Sequence, residues 1–419
     1  MTLPIKPLPL AQNWDCHVSG SCCKEYQIPL TDEEVARIEA QGWTPDDLGG
    51  RPPFRSTGWF RRQRWLNHRD GDGACVFLSP EGRCRIHERF GFDQKPLPCR
   101  LFPFVLVPAG DHWRFGVRYA CPSAAANKGR GAADHAGDLA GFARELAAAE
   151  GLAPAPGEAL TRPPRLDDGT RLDWPDTLRL VDAVLKLLRG PGPMERRMRK
   201  VLHFVETMKA ARLADLKGGK LTELLDLLIS AAEQEVPPAS SVPAPGWVGR
   251  VLFRQMAAIY MRKDRGPHRG PALRGVFSRL GAAWRFMRGT GSIPRMHGRI
   301  PACTFADAEE PRGPLPPEAE KVLERYYAVK AWSMQFVINR HRMPFWAGVE
   351  ALAMTLPLIL WVSRQWRDVP REQAVTNALT VVDDHFGINP VLGTLRQRMS
   401  LGILARRGEI ARLIAWYSR

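Results

Sequence analysis

Cysteine is distributed very unevenly along this 419-residue chain. Seven of its eight cysteines lie within the first 121 residues, and only Cys303 lies beyond them. Thiols concentrated in one short region usually share a role in metal binding, disulfide formation or redox chemistry. Packing as a small hydrophobic side chain suits Cys303 but gives no reason for such clustering. The N-terminal region is therefore expected to be organised around its cysteines, which are Cys16, Cys22, Cys23, Cys75, Cys84, Cys99 and Cys121.

The start of the sequence favours a metal site over disulfides. It reads Met-Thr-Leu-Pro-Ile-Lys-Pro and shows neither an apolar segment of signal-peptide length nor a small-residue cleavage site. We therefore expect a cytoplasmic protein, and structural disulfides are rare in the cytoplasm. Soft thiolate ligands select zinc, copper(I) or iron–sulfur clusters over magnesium or calcium.

The number of donors exceeds what one mononuclear site needs. Structural zinc takes four ligands, whereas this region offers seven thiols together with His17 and His87. The surplus favours a polynuclear site, two sites or an iron–sulfur cluster held by four cysteines. Because Cys22 and Cys23 are adjacent, they cannot both form a relaxed chelate. One of the two is expected to serve a second metal or to be buried. Spacing alone does not identify the metal.

Four short motifs follow one another in this region. They are Cys16…Gly20-Ser21-Cys22-Cys23, Cys75-x8-Cys84-x-Ile86-His87, Cys99-Arg100-Leu101-Phe102-Pro103 and Cys121-Pro122. In this order they resemble the cysteine-cluster (YkgJ-like) family of zinc- or iron-chelating domains, over residues 13–123. The resemblance implies that four or more of the seven cysteines are ligands. Ser19 stands where the family usually has its second cysteine, so distant cysteines must complete the site. Arg100 is expected to contact a cluster sulfur or an anionic substrate, with a surface ion pair as the alternative.

The long C-terminal half suggests an enzymatic alternative. The cysteine-cluster family includes flagellin lysine N-methylases, which this chain resembles in overall length and in its aromatic stretch from Tyr326-Tyr327 to Phe336. That resemblance implies methyl transfer from S-adenosylmethionine to lysine amines of a protein substrate. The sequence contains no glycine-rich nucleotide loop and no C-x3-C-x2-C motif. Such an activity would require an unconventional cofactor site near the cysteines.

A strongly basic stretch extends over residues 250–299. It contains twelve Lys or Arg residues and one acid, Asp264, in a chain of net charge +16. Such a stretch can bind nucleic acid, anionic lipid or an acidic protein face, or can be only a solvated surface. Within it, residues 273–288 combine arginines with large apolar side chains, as in a helix that lies on an anionic membrane. The third hypothesis is therefore a nucleic-acid or membrane-surface binding protein whose metal is structural.

The remaining patterns predict a mainly α protein. Proline- and alanine-rich segments separate its parts, and apolar residues recur at helical spacing in the C-terminal half. We expect a small, irregular Cys-rich α+β domain, a connector and a larger helical domain, over residues 1–130, 131–170 and 171–419.

Local signals in the first domain predict individual elements. Residues 31–34 form a capping-box pattern at the start of a helix. Residues 75–87 predict a hairpin whose turn brings Cys75 and Cys84 together, and residues 59–66 and 113–119 predict strands.

Two features of the helical half have alternative interpretations. Residues 345–362 are apolar apart from Glu350 and approach the length of a membrane span. A charge and the internal Pro357 favour a buried core helix instead. Asp383-Asp384-His385 can form a metal or catalytic group, and we favour a helix-end cap. The sequence does not indicate an oligomeric state.

Overall fold

Helices make up most of the fold. The computed structural model describes residues 3–58, 63–149, 161–167, 169–211, 216–264 and 268–419. Short strands and helices occupy the Cys-rich region, and longer helices follow it. The predicted fold class, a small α+β region followed by a larger helical one, is confirmed.

Short elements surround the cysteine motifs. The strands are β1 (Ile5–Lys6), β2 (Asn13–Trp14), β3 (Pro29–Leu30), β4 (Phe54–Thr57), β5 (Gln63–Leu66), β6 (Phe104–Ala109), β7 (His112–Val117) and β8 (Arg130–Gly131). The helices of this region are α1 (Ser21–Glu25), α2 (Asp32–Glu39), α3 (Arg85–Phe90), α4 (Leu97–Leu101), α5 (Pro122–Ala125) and α6 (Ala136–Ala149).

The strands form three small sheets. An antiparallel β6–β7 hairpin is extended by β1, which runs parallel to β7, and a second sheet has the order β3-β5-β4. In the third sheet β2 pairs antiparallel with β8. Next to this pairing, the Asp15 carboxylate binds the Arg130 guanidinium at 3.0 Å. The chain segments that carry the first and last motif cysteines, Cys16 and Cys121, are thereby held side by side.

Most of the local predictions in this region are confirmed. The Thr31 hydroxyl accepts a hydrogen bond from the Glu34 N–H at 3.2 Å, and the Glu34 carboxylate accepts one from the Thr31 N–H at 3.0 Å. This reciprocal pair is the predicted capping box. The strand predicted at 113–119 corresponds to β7. The strand predicted at 59–66 corresponds to β5 from residue 63 onward, and residues 59–62 lie outside the described residues.

The hairpin predicted at residues 75–87 forms only around its turn. A tight turn is present, in which the Ser79 N–H donates to the Arg83 carbonyl at 2.8 Å. Only one bridge pair, Leu78 with Cys84, follows from that turn. Cys84 then caps α3, so the returning segment becomes helical immediately after the bridge. The second arm of the hairpin is replaced by the helix that carries His87.

The C-terminal helices follow residue 161. They are α7 (Trp174–Leu188), α8 (Met194–Ala210), α9 (Gly218–Glu235), α10 (Trp247–Tyr260), α11 (Val276–Arg288), α12 (Phe305–Glu309), α13 (Pro317–Trp332), α14 (Phe345–Ser363), α15 (Arg371–His385), α16 (Leu395–Arg406) and α17 (Glu409–Tyr417).

The main hydrophobic core joins these helices to the β6–β7 hairpin. It extends from Phe104 and Trp113 on the hairpin to Tyr417 at the end of α17. Where β7 meets the segment after α13, a Cβ at Gly116 would lie 2.5 Å from the Ser333 side chain, so only glycine allows this approach. The division into parts at residues 130 and 170 stays a prediction, and residues 150–160 of the connector lie outside the described residues.

A second, smaller core lies under α2 and β5. It contains Leu30, Val35, Ile38, Leu66, Cys75 and Phe77, and Cys23, Cys84 and Cys99 pack against it. The cysteine motifs therefore rest on a hydrophobic base of their own.

α14 is the apolar helix for which the sequence allows either a membrane span or a buried core position. In the described part of the chain it alone is long and apolar enough to cross a membrane, and 89% of its apolar window is buried inside the protein. Its one charged side chain, Glu350, pairs with Lys209 of α8 at 2.6 Å. The predicted core helix is confirmed.

Candidate metal centre

Folding gathers the predicted cysteines around one cavity of about 510 Å³. Six of the seven line it, namely Cys16, Cys22, Cys23, Cys84, Cys99 and Cys121. Cys75 is buried in the small core, and its charged form would repel the thiolates of Cys23 and Cys99. It therefore lies close behind the cavity. Motifs that are up to a hundred residues apart in sequence thus meet at one place.

Short helices position these thiols. Gly20 adopts a left-handed conformation with φ 63° before α1, which carries Cys22 and Cys23 in its first turn. The Cys75 N–H donates to the Cys23 carbonyl at 2.8 Å and ties the first two motifs together. Three other cavity-lining cysteines also lie at or in short helices. Cys84 is the N-cap residue of α3, Cys99 lies in α4, and Cys121 is the N-cap residue of α5.

The thiols differ sharply in acidity. The Sγ atoms of Cys22 and Cys23 are 3.8 Å apart. Their hydrogen bond, assisted by the positive charge of Lys95, lowers the pKa of Cys22 to about 7. Burial raises the pKa of Cys75 to about 12 and raises that of Cys99 well above its ordinary value. Cys22 is therefore partly ionised near neutral pH, whereas its buried neighbours hold their protons in the metal-free state.

These acidities fit a site that is completed by a cation. Thiols must lose their protons to bind metal, and a bound cation offsets both the burial and the mutual repulsion of thiolates. Within the ranges that the structure describes, no group of three or more Cys, His, Asp or Glu side chains is already arranged to hold a metal ion. The donor set fits a soft metal by its chemistry.

Arg100 faces the same cavity with its donors already engaged. Its guanidinium makes a bidentate ion pair with Glu145 at 2.8 and 2.6 Å, and its Nε donates to the Lys95 carbonyl at 2.9 Å. This geometry corresponds to the ion-pair alternative, although Arg100 is buried and not at the surface. Its role in cofactor binding stays a prediction.

Further polar and aromatic side chains complete the cavity wall. His17 and His87, both considered as ligands from sequence, line it. Lys95 and the aromatic residues Trp14 and Phe92 also line it, and no sequence pattern indicated these three as site residues. No motif marks them, since they come from separate segments that meet only in the folded chain.

The interpretation of Asp383-Asp384-His385 as a helix-end cap is wrong. These residues end α15, where the free backbone groups are carbonyls that a carboxylate cannot cap. The Asp383 carboxylate instead pairs with Lys330 at 2.6 Å and accepts a hydrogen bond from the Ala120 N–H at 3.0 Å. Ala120 directly precedes Cys121, so Asp383 fixes the last cysteine motif against the helical body.

A second ionic contact fixes α1. The Glu25 carboxylate, two residues after Cys23, pairs with Lys263 at 2.5 Å and with Arg299 at 2.9 Å. Lys263 also pairs with Asp384 at 2.7 Å. The helix that carries Cys22 and Cys23 is therefore tied to α15 through buried charges.

His297, beside this contact, should make the folded protein sensitive to acid. Burial and the positive charges of Lys263 and Arg299, partly offset by the Asp384 carboxylate, lower the pKa of His297 from 6.5 to about 3. Its ring stacks on that of His268, with the ring centroids 5.9 Å apart. Below pH 6.5 the unfolded chain takes up a proton that the folded chain does not, so stability falls as the pH falls towards 3. At pH 5 this effect of His297 should lower the free energy of unfolding by about 2 kcal/mol.

Thermal unfolding at pH 7 and pH 5 measures this effect. The His297→Gln variant should lose less stability on acidification than the unmodified protein. An equal loss in both proteins would show that other groups cause the acid sensitivity.

Comparison with known proteins agrees with the geometry of the cavity. No curated protein and no solved structure matches the chain. Residues 15–122 match the CxxCxxCC family, whose description reads "Putative zinc- or iron-chelating domain". The matched range holds all seven clustered cysteines and does not extend to the helical half, on which the resemblance to flagellin lysine N-methylases depends. Residues 15–122 are therefore similar to the cysteine-cluster domain of the CxxCxxCC family.

Proposed function

We propose that the cysteine-cluster domain binds an iron–sulfur cluster. The observation that carries this proposal is the convergence of six cysteines on one cavity, with Cys75 directly behind it. A single zinc ion uses at most four of these thiols, with Zn–S bonds of about 2.3 Å, and would leave most of the cavity empty. A polynuclear cluster would use both the surplus of sulfur and the space.

The electrostatic contacts among the thiols narrow the set of ligands. The negative charges of Cys22, Cys75, Cys84 and Cys99 each raise the pKa of at least one thiol among Cys23, Cys75 and Cys99, so these five cysteines form one electrostatic set. For Cys121 the effect of another thiol is small and comes from Cys22, and Cys16 is exposed. We therefore assign the four ligands to the first set. When bound, the cluster would supply electron transfer or would fix the fold of the domain.

Anaerobic purification followed by iron, zinc and acid-labile sulfide analysis tests this proposal. We expect iron and sulfide in similar amounts and a visible absorption spectrum, since iron–sulfur clusters are coloured. A colourless protein with one zinc ion would contradict the iron–sulfur assignment, and the site would then be a zinc-chelating one. A protein that takes up neither metal after reconstitution would contradict both.

The same cavity supports a second proposal, lysine N-methylation. Its volume of about 510 Å³ falls within the range of small-molecule sites, about 300–1,000 Å³. Trp14, Phe92 and Phe102 line it, and aromatic faces attract cations such as the sulfonium of S-adenosylmethionine. The methyl group would pass from the sulfonium to a neutral lysine amine of a protein substrate, with S-adenosylhomocysteine as the leaving group and a proton released from the methylated amine. Calorimetric titration of both the metal-free and the metal-loaded protein with S-adenosylmethionine tests this, and absence of binding to both would exclude it.

A cytoplasmic location is part of both proposals, because free thiolates need a reducing compartment. Fractionation of cells that express the protein tests the location, and recovery from an oxidising compartment would contradict it.

A further inference from the structure

One face of α11 leaves large apolar side chains in contact with water. Phe277 is 89% exposed, Val276 63%, Leu280 62% and Trp284 54%, and Met287 is 38% exposed. Single exposed apolar residues are ordinary, but a contiguous group of them marks an interaction site. At 3.6 residues per turn these five side chains fall within an arc of about 100°.

The opposite face of α11 holds the helix on the protein. Ala282 and Phe286 are its buried residues. The Arg254 guanidinium of α10 donates to the carbonyls of Phe286 and Met287, at 3.1 and 3.2 Å. α11 is thus anchored without its large apolar face, which stays available to a partner.

The structure divides the cations of the basic stretch into two groups. Lys263 and Arg299 pair with Glu25, and Arg262 pairs with Asp264. The cations on and next to α11 are exposed, and they are Arg274, Arg279, Arg285 and Arg288. No acid occurs in the sequence between residues 265 and 299. On the helix, Arg279 lies on one side of the apolar arc, and Arg285 and Arg288 lie on the other.

We infer that α11 docks on an anionic membrane surface. Large apolar side chains flanked by arginines are the pattern of a helix that lies in the plane of the interface, with cations at the phosphates. The 13 residues of α11 are too few to span a bilayer. Nucleic acid offers phosphates but little apolar surface for Phe277 and Leu280, so the observations favour lipid. Trp284, with the Arg288 guanidinium 5.3 Å from its ring, suits the headgroup level.

Vesicle flotation with the full-length protein tests this inference. We expect binding to vesicles of phosphatidylcholine with phosphatidylglycerol, none to phosphatidylcholine alone, and weaker binding as salt screens the charges. The Phe277→Ser/Trp284→Ser variant should lose at least about tenfold in partitioning. Its matched control is Leu227→Ser, a 65% exposed leucine on α9, which should bind as the unmodified protein does.

A second pair of variants separates charge from apolar contact. Arg279→Gln/Arg285→Gln should lose on the order of tenfold in binding to anionic vesicles, whereas the exposed pair Arg144→Gln/Arg189→Gln should not. Thermal unfolding should be unchanged in all four variants. Absence of flotation at low salt, or flotation that the Phe277→Ser/Trp284→Ser variant retains in full, would overturn the inference. Retention on duplex DNA at low salt without vesicle binding would assign the basic face to nucleic acid instead.

Discussion

Replacement of Cys22 or Cys99 by serine should remove most of the bound metal. The pKa of Cys22 is lowered to about 7, so this thiol is partly ionised at neutral pH and is expected to meet the metal first. Cys99 is half-buried between the small core and the cavity. Loss of a residue that merely orients a ligand lowers metal affinity about 10–100-fold, so loss of a ligand should lower it further.

The matched control is Cys303→Ser. Cys303 is buried, lies outside the cysteine-cluster domain and donates its thiol hydrogen to the Thr304 carbonyl. Metal content per chain, measured after identical anaerobic purification, should fall in the Cys22 and Cys99 variants and stay unchanged in this one. The Cys16→Ser variant should retain more metal than either, since Cys16 is exposed. Unchanged metal content in both the Cys22 and Cys99 variants would exclude them as ligands.

Substitution of Asp383 by alanine should destabilise the protein by about 3–5 kcal/mol, the cost of removing one partner from a buried ion pair. The Lys330 ammonium is almost wholly enclosed and lies 2.6 Å from the Asp383 carboxylate, which is itself inaccessible to solvent. The variant would leave that ammonium unpaired and would remove the acceptor of the Ala120 N–H. Urea unfolding measures the change in the free energy of unfolding.

Two further variants show whether burial is the cause. Asp226→Ala breaks an ion pair with Lys186 in which both side chains are more than half exposed, and it should change the free energy of unfolding by less than about 1 kcal/mol. The double variant Lys330→Met/Asp383→Leu removes both buried charges and should recover part of the lost stability. If Asp226→Ala destabilised the protein as much as Asp383→Ala, the argument from burial would be wrong.

The sequence predicted which region holds the site, but not how the individual cysteines are placed in it. The clustering of cysteines identified the domain, because thiols of one site must come from segments that fold together. The motifs did not reveal that Cys75 lies behind the cavity wall, since that position depends on the small core under α2 and β5. They also misled at Cys84, where a helix cap and a strand end look alike in sequence.

Local sequence patterns predict whether a helix forms and is buried, but they do not predict ionic contacts between residues that are distant in the chain. α14 was predicted correctly as a core helix because its one charge and its internal proline favour a protein interior over lipid. The pairing of Asp383 with the backbone at Ala120 joins positions 263 residues apart, and no local pattern encodes such a contact. The cavity residue Lys95 was missed for the same reason, since its effect on Cys22 exists only in the folded chain.

The contact of Glu25 with Lys263 would couple the metal affinity of the cysteine-cluster domain to the conformation of the helical half. Movement of Cys22 and Cys23 on metal binding would shift α1, and with it the carboxylate that Lys263 and Arg299 hold. Thermodynamic linkage is reciprocal. If metal binding stabilises the arrangement of Lys263 and Asp384, a partner that stabilises the same arrangement of the helical body will tighten metal binding by the same free energy.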